Sequence, residues 1–432
     1  MDSIWTKTVQ LPRFEPLRTD LKTDVLIVGG GMAGLLCAQA LEEAGADYVL
    51  VEADRICSGA TKNTTAKITA QHGLIYDKLI REFGVEKARL YLEANRAALE
   101  RYCALCRTIS CDFEEKDAFV YSVDDRKKLD RELEALDRLG AEAEFVPRLP
   151  LPVSAVGAIR FAHQAQFHPL KFAAGIAQGL RILEHTKVLE LMPGRAVTAG
   201  GTISAEKIVI ATHFPVLNKH GGYFLKLYQH RSYVLALENG PAVDGMYIDE
   251  KEGGLSFRSC GELLLLGGGS HRTGKRGGGW RELEAFARSH CPGAREKARW
   301  AAQDCMSLDG VPYIGPYSPG TPNLYVAAGF NKWGMSFAMV SAMLLSDMLL
   351  GRENPWAAVF DPGRTVLRPQ LAVNALESVL GLLTPTVPRC PHMGCALRYN
   401  AEEHSWDCPC HGSRFGNDGQ LIDNPATDDK RL

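Results

Sequence analysis

The sequence has no long hydrophobic run. No stretch approaches the roughly 18 consecutive apolar residues that a membrane-spanning helix needs. The first residues, MDSIWTKTVQLPRF, also lack the basic region and following apolar run of a secretory signal. We therefore expect no membrane span and a cytoplasmic location.

The chain also lacks an excess of charge of either sign. Its 49 Lys and Arg residues against 51 Asp and Glu residues give a net charge of −2. No basic surplus is available to neutralise phosphates, so we predict no nucleic-acid partner. With 432 residues, 46% of them hydrophobic and 23% charged, the composition is that of an ordinary globular protein. The length predicts two or three domains.

Cysteine and histidine are concentrated near the end of the chain. One pair of motifs is Cys390-Pro391-His392 and Cys408-Pro409-Cys410-His411, and each motif supplies a Cys and a following His. This set suits a Rieske [2Fe–2S] centre, in which two imidazoles replace two thiolates on one iron. A structural zinc is the alternative, although zinc fingers usually pair Cys with Cys and His with His.

The segments RCPHMGC, SWDCPCHGSRF and NPA resemble the cluster-binding loops of cytochrome-bc-type Rieske proteins. The resemblance implies that Ser413 donates a hydrogen bond to a bridging sulfide. It also implies the following set: Cys390 and Cys408 on one iron, His392 and His411 on the other, a Cys395–Cys410 disulfide, and a proline loop at Asn424-Pro425-Ala426.

Phe415 stands where high-potential Rieske proteins carry a tyrosine. The missing hydroxyl would remove a hydrogen bond near a thiolate, and such bonds tune the potential of a cluster. We therefore predict a reduction potential below the top of the Rieske range.

A dinucleotide-binding fingerprint lies near the start of the chain. An apolar strand, DVLIV, runs into Gly29-Gly30-Gly31-Met32-Ala33-Gly34, and a helical stretch follows. The next strand carries Glu52, the acid expected to bind ribose hydroxyls. Gly29 would permit the tight turn, Gly31 a close approach to pyrophosphate, and Gly34 helix–strand packing. The helix N-terminus would then face the phosphates. The motif alone does not separate FAD from NAD.

Three later segments decide for FAD: SGATKNTT after Glu52, the strand KIVIAT, and DGVPYIG leading to LYVAAGF and WGMS. With the first motif they resemble the D-amino-acid-oxidase and glycine-oxidase-like flavoproteins over residues 22–355. Cys305 lies near the covalent attachment site of sarcosine oxidases but at a different spacing, so we expect non-covalent FAD. The resemblance implies contacts to FAD from Gly29, Gly31, Met32, Ala33, Gly34, Glu52, Ala53, Thr61, Thr64, Thr65, Val188, Ala211, Thr212, Gly329, Trp333, Gly334 and Met335.

The resemblance also implies the fold class. We expect a non-contiguous α/β Rossmann-type FAD domain, an antiparallel-sheet substrate domain, and a small all-β cluster-binding subdomain. The predicted boundaries are an N-terminal arm (1–21), the FAD domain (22–100, 150–223 and 301–355), the substrate domain (101–149 and 224–300), a linker with a helix (356–387), and a truncated Rieske subdomain (388–432).

The Rieske subdomain is short because almost no base strands precede Cys390. A piece of about 45 residues cannot bury enough surface to be stable alone. We infer that it docks on the flavoprotein or on a second subunit.

These features predict a dehydrogenase or reductase of an amine or amino-acid-derived substrate. A Rieske centre that passes single electrons would link FAD to an external ferredoxin-like or quinone-like partner. Two alternatives stay open: an amine-oxidase-like protein with a structural or sensing cluster, and an electron-transfer adaptor without a small substrate. An oligomer is possible.

Candidate catalytic residues are Arg231, Tyr233, His271 and Lys332. Arg231 and Tyr233 lie on a strand of the expected substrate sheet, and Lys332 borders the last flavin turn. The segment 269–276 resembles a P-loop but ends in Arg where Ser or Thr would bind Mg²⁺. We expect it to be a mobile loop over the active site, with His271 as a gate. Amino-acid oxidases of the family that the sequence resembles often bind the substrate carboxylate with an arginine at the position of Trp300 to Asp304. This sequence has no arginine between Arg299 and Pro312, which argues against a free α-amino acid substrate.

Overall fold

The computed structural model describes residues 2–216, 220–385 and 388–429. The strands in these ranges are β1 (Leu21–Val28), β2 (Tyr48–Val51), β3 (Lys67–Ile68), β4 (Glu114–Ser122), β5 (Glu144–Val146), β6 (Gly157–Gln166), β7 (Ile182–Leu183), β8 (Val188–Met192), β9 (Arg195–Thr198), β10 (Gly201–Ile210), β11 (Leu227–Glu238), β12 (Met246–Asp249), β13 (Ser256–Cys260), β14 (Leu263–Arg272), β15 (Arg295–Ser307), β16 (Tyr313–Pro316), β17 (Leu324–Ala328), β18 (Arg398–Asn400), β19 (Ser405–Asp407), β20 (Arg414–Phe415) and β21 (Leu421–Asp423).

The α-helices are α1 (Met32–Glu43), α2 (Tyr76–Phe83), α3 (Val85–Cys106), α4 (Arg126–Arg138), α5 (Pro169–Ile176), α6 (Tyr223–Lys226), α7 (Gly279–His290), α8 (Gly334–Leu349), α9 (Ala357–Phe360) and α10 (Pro369–Leu383). Short 3-10 helices form at Ile4–Lys7 and Ala60–Asn63. No helix in the described ranges combines the length and the apolar character needed to cross a membrane.

The first sheet is a parallel α/β sheet. Its strand order is β16-β17-β10-β1-β2-β7, and the pairs from β17 to β7 are parallel. Strand β16 and the β8–β9 hairpin add antiparallel edges. The apolar run of β1 and the fully buried β2 fit central strands that are covered on both faces. Helices α1 and α8, which are also mostly buried, pack against each other beside this sheet.

The second sheet forms the other large layer, with the order β15-β11-β14-β13-β12-β4-β6-β3 and β5 beside β6. Its pairs are antiparallel except for β12 and β4, which run parallel. The sheet is therefore antiparallel, as expected, apart from this one pair. Strands β3 and β6 also belong here, although the sequence analysis assigned both to the FAD domain. The prediction assigned each strand to the domain of its neighbours in sequence. In the structure β6 pairs with β3 and β4, which lie far from it in sequence.

The third sheet is small and antiparallel, with the order β18-β19-β20-β21. Its core consists of the side chains of Cys390, Cys395, Leu397, Cys408, Cys410, Phe415 and Ala426. Helix α10 precedes this sheet and lies against its loops, because a Cβ on Gly381 would be 2.6 Å from the Cys410 sulfur. Residues 388–429, the cluster segment, are thus packed against α10.

Candidate active site and cluster site

A cavity of about 1350 Å³ lies between the first two sheets. The predicted glycine-rich loop and the segment 57–67 form part of its wall. Residues of the second sheet, including Tyr228 and Gln303, form another part. The segment from Gln420 to Asn424 in the third sheet and its following loop also reach this cavity. All three sheets therefore contribute to one site.

The glycine-rich turn has no room for side chains. Gly29 has φ +114°, and a Cβ there would lie 2.5 Å from the Ala211 carbonyl oxygen. A Cβ on Gly34 would lie 1.9 Å from the Gly29 oxygen, because helix α1 crosses directly over the strand end. Glu52 accepts a hydrogen bond from the Gly30 amide at 2.7 Å, and burial raises the pKa of its carboxyl group. This cradle fits the pyrophosphate and ribose of a dinucleotide.

Most of the predicted FAD contacts line the cavity. Gly34 and Gly329 do not line it. Both instead allow close packing of the chain, because a Cβ on Gly329 would lie 2.9 Å from the Leu227 side chain. The predicted residues on the cavity wall are Gly29, Gly31, Met32, Ala33, Glu52, Ala53, Thr61, Thr64, Thr65, Val188, Ala211, Thr212, Trp333, Gly334 and Met335.

Tyr233 and Lys332, two of the candidate catalytic residues, also line the cavity. The Lys332 ammonium donates to the Ser270 hydroxyl at 2.6 Å. The Tyr233 hydroxyl instead donates to Glu403 of the third sheet at 3.2 Å. The polar group of Lys332 therefore bonds to another residue of the cavity wall, whereas the Tyr233 hydroxyl bonds to the third sheet.

Arg231 and His271 lie away from the cavity, which corrects their assignment to the substrate site. Arg231 is only 3% exposed, and its guanidinium donates to the Glu403 carboxylate. The His271 ring stacks on Tyr233, with ring centroids 5.6 Å apart. The loop after His271 faces the cluster segment, because a Cβ on Gly274 would be 2.6 Å from the Pro409 nitrogen. It does not cover the active site.

The buried cavity residues that escaped the sequence analysis include two basic side chains, Lys67 and His72. Lys67 is 9% exposed and donates to the Thr65 hydroxyl at 3.0 Å. Burial, and secondly the nearby Arg258 charge, lower the pKa of Lys67 to about 7. His72 lies beside Trp333, with ring centroids 4.7 Å apart, and burial lowers its pKa to about 3. The only sequence signal was the position of Lys67 just after the small-residue loop.

The cluster motifs come together as two similar loops. The Cys390 amide donates to the Cys395 oxygen at 2.8 Å, and the Cys408 amide donates to the Ser413 oxygen at 2.9 Å. The imidazoles of His392 and His411 lie next to each other in an edge-to-face arrangement, with centroids 5.0 Å apart and planes at 87°.

Two thiols and two imidazoles in this arrangement match the donor set of a Rieske centre. Cys390 is 2% exposed, Cys408 1% and His411 2%. Both ring nitrogens of His411 are buried without a hydrogen-bond partner. Buried polar atoms are normally paired, so an iron ligand role accounts for this histidine.

The proline loop touches the flavin side of the molecule. The Asn424 side-chain amide donates to the Thr212 oxygen at 2.6 Å and to the Phe214 oxygen at 3.2 Å. On the other side, the Ala426 amide donates to the Ser413 hydroxyl at 2.9 Å. Both Asn424 and Ala426 line the cavity. One loop therefore contacts both the predicted FAD wall and the cluster segment.

Residues 24–348 match the family described as FAD dependent oxidoreductase, and residues 364–431 match the Rieske [2Fe-2S] domain. The chain belongs to the FAD dependent oxidoreductase family. It is 33% identical to the putative Rieske 2Fe-2S iron-sulfur protein YhfW of Bacillus subtilis, over 98% of this chain and 96% of that protein. It is 24% identical to gamma-glutamylputrescine oxidoreductase of Escherichia coli, over 84% and 93% of the two chains.

The fold of this FAD-dependent oxidoreductase also matches a glycine oxidase from Geobacillus kaustophilus. The TM-score is 0.66 at 21% identity, covering 80% of this chain and 100% of the other. The predicted fold class is thereby confirmed. FAD and a Rieske [2Fe–2S] cluster are confirmed as the cofactors of an oxidoreductase.

The expected Cys395–Cys410 disulfide is not supported. Both residues are free thiols, and their sulfur atoms and that of Cys408 lie within 4.8 Å of one another. The sulfurs of Cys410 and Cys395 lie next to Gly381 of α10, 2.6 and 3.7 Å from the position of a Cβ there. The disulfide was inferred from the resemblance alone.

A buried ion network holds the cluster segment of this oxidoreductase on the second sheet. Glu403 contacts both Arg231 and Arg414, with a 2.8 Å bond to the latter. Arg414 also binds Asp407 at 3.0 Å and Asp423 at 2.9 Å. Burial alone would raise the pKa of Glu403, but the two guanidiniums hold it at about 2. The Rieske segment therefore docks on its own flavoprotein body, one of the two expected arrangements.

Proposed function

We propose that the protein is a dehydrogenase or reductase in which the Rieske centre relays single electrons between FAD and an external one-electron partner. The observation that carries the proposal is the shared wall between the cavity and the cluster segment. Asn424 of the proline loop bonds directly to the Thr212 carbonyl of the FAD wall.

A second connection runs through Gln303. Its side-chain amide donates at 2.8 Å to the carbonyl of Gly412, the residue after the ligand His411. Gln303 itself lines the cavity. The His411 ring lies between Phe214 and Phe224, with centroid distances of 6.4 and 6.2 Å. These contacts keep His411 on the flavoprotein side and support an internal electron path.

Bound FAD would exchange two electrons with a C–H bond next to nitrogen or oxygen, and the cluster one electron at a time. The residues of this chain position both groups. Gly29, Gly31 and Glu52 would hold the dinucleotide, and the loops carrying Cys390 and Cys408 would hold the cluster. The alignment of the two sites therefore depends on the hydrogen bonds from the Asn424 and Gln303 side chains to backbone carbonyls.

The substrate is proposed to be an amine or an amino-acid derivative. The cavity wall in the described residues contains no arginine, the group best suited to bidentate carboxylate binding. Its buried cation is Lys67, which can hold or release a proton near neutral pH because its pKa is about 7. Lys67 and Lys332 are the groups we assign to substrate binding.

The size of the cavity supports an enzyme over a substrate-less adaptor. Sites for one small ligand usually measure about 300–1,000 Å³, and this cavity measures about 1350 Å³. It can hold a dinucleotide with further room for a small substrate. An adaptor would have no need for that room.

We also propose that FAD is bound without a covalent bond. Cys305 lines the cavity and is 2% exposed. Burial raises its pKa to about 12, so the thiol stays protonated at neutral pH. A protonated thiol is a poor nucleophile. Flavin absorbance in the supernatant after denaturation would agree with this, whereas flavin retained in the protein pellet would contradict it.

An anaerobic screen of amines and amino-acid derivatives tests the function. A true substrate is expected to bleach the flavin absorbance and to produce a Rieske EPR signal in the same sample. Cys408→Ser, which removes a cluster ligand, is expected to keep the bleaching and lose the EPR signal. Bleaching of the wild-type flavin beside a permanently oxidised cluster would refute the relay. Normal turnover with oxygen in Cys408→Ser would then favour a structural or sensing cluster.

A further inference from the structure

Helix α10 is turned with its polar side towards the protein. Asn374 is 2% exposed, accepts a hydrogen bond from Arg272 at 2.9 Å and donates to the Leu225 oxygen at 3.2 Å. Glu377, the one charged residue of the helix, pairs with Lys275 at 2.6 Å. These contacts fix which side of the helix faces outwards.

The outward side of α10 is entirely aliphatic. Most surface helices bury their apolar stripe and expose their polar side, so this helix has the opposite orientation. The exposed fractions are 46% for Val373, 59% for Leu376, 50% for Val379, 48% for Leu380, 46% for Leu382 and 75% for Leu383. Leu367 and Met393, close in sequence to the two ends of α10, are also exposed, and so is Leu225 of the neighbouring helix α6.

The exposed area is large enough to be an interface. The six side chains expose on the order of 550 Å², near the upper end of the roughly 300–600 Å² that the largest apolar patch of a monomer covers, and patches of that size are often functional. Each partner in a standard protein interface contributes about 800 Å². This face with Leu367 and Met393 at its ends supplies most of that area.

The spacing of the exposed residues suits another helix. Val373, Leu376, Leu380 and Leu383 follow each other at intervals of three, four and three residues, the a/d spacing of helix pairs. Because no charged side chain lies on this face, two identical faces do not repel each other. A two-fold axis would place the same patch on both sides of the contact.

We propose that the exposed face of α10 is a homodimer interface, and that its partner is α10 of a second copy of this chain. A lipid surface is the competing occupant. Helices that lie in lipid headgroups usually carry Lys or Arg on the polar side and aromatic anchors. Helix α10 has none of these residues, and its polar side is already bound to protein.

The test is the molar mass of the full-length holoprotein, measured by light scattering during size-exclusion chromatography. The wild type is expected at twice the chain mass of 47.3 kDa. The double variant Leu376→Glu/Leu380→Glu is expected at the mass of one chain, with flavin absorbance and the Rieske EPR signal unchanged. Val156→Glu, at an exposed valine outside the helix, is the matched control and should stay dimeric. Leu380→Ser, which adds no charge, should raise the dimer dissociation constant.

A wild-type protein with the mass of one chain would overturn the proposal, as would a double variant that stays dimeric. The lipid alternative has its own outcome. It predicts that monomeric wild type sediments with phosphatidylglycerol–phosphatidylcholine vesicles and that the double variant does not. The mass measurement does not depend on electron transfer, so the dimer and the proposed function can fail separately.

Discussion

Replacing Glu403 by Gln tests the docking of the cluster segment. Glu403 lies between the guanidiniums of Arg231 and Arg414, and the side-chain exposures are 8%, 3% and 5%. Glutamine has nearly the same shape but no charge. Glu403→Gln would therefore remove the more deeply buried of the two carboxylates that these cations share. Asp423 stays 3.8 Å from Arg231 and 2.9 Å from Arg414.

The magnitude follows from the charges. The pKa of Glu403 is lowered from 4.5 to about 2, and a shift of that size corresponds to roughly 3 kcal/mol in the free energy of folding. Breaking a buried ion pair costs about 3–5 kcal/mol in other proteins. We expect Glu403→Gln to lower the free energy of unfolding by about 3 kcal/mol.

The sign of the pH dependence follows from the lowered pKa. The carboxylate stabilises the fold fully above pH 4.5, the ordinary value, and this stabilisation is lost as the pH falls towards 2. The difference in stability between wild type and Glu403→Gln should therefore be constant near neutrality and shrink on acidification below 4.5.

The assay is urea unfolding followed through the visible circular dichroism of the cluster. Glu402→Gln is the matched control, because Glu402 pairs with Arg281, which is 81% exposed. Exposed pairs contribute only about 0–1 kcal/mol, so this variant should resemble the wild type. Equal effects of Glu402→Gln and Glu403→Gln would refute the reasoning.

Three further predictions concern the cofactor sites. Phe415→Tyr should raise the midpoint potential of the cluster in an EPR-monitored titration, because a hydroxyl donor stabilises the reduced form; an unchanged potential would contradict this. Gly34→Ala should lose flavin on desalting, since its Cβ would lie 1.9 Å from the Gly29 oxygen, whereas Gly320→Ala, with nothing within 4 Å, should retain it. For Lys67, whose pKa is lowered to about 7 from 10.5, the folded state disfavours the charged form. Lys67→Met should therefore unfold at higher urea than wild type at pH 6 in flavin-free protein. This advantage should fade as the pH rises from 7 towards 10.5. A variant less stable than wild type at pH 6 would show that this charge is not destabilising.

The parts of the fold that short spacings determine were predictable. Gly29, Gly34 and Glu52 lie in one strand–turn–helix–strand unit, where local geometry fixes their relative positions. The Cys-x-His and Cys-x-x-His motifs likewise place their ligands in two loops. Family resemblance then supplied FAD and the cluster.

The parts that long-range pairing determines were not predictable. Lys67 reaches the cavity wall because β3 pairs with β6, almost a hundred residues later. Gln303 does so because β15 pairs with β11. The prediction correctly placed Arg231 in the second sheet, but its partner Glu403 comes from the third sheet. No local pattern indicates which side chains meet when two domains dock.

The relay is tested most directly by the concentration dependence of cluster reduction. Wild-type protein would be mixed anaerobically with a substrate in a stopped-flow instrument, and flavin and cluster absorbance followed together. We predict that the cluster is reduced after the flavin with a rate that does not change with protein concentration, because Asn424 and Gln303 join the two sites within one chain. A rate proportional to protein concentration, or a cluster that stays oxidised, would contradict the account.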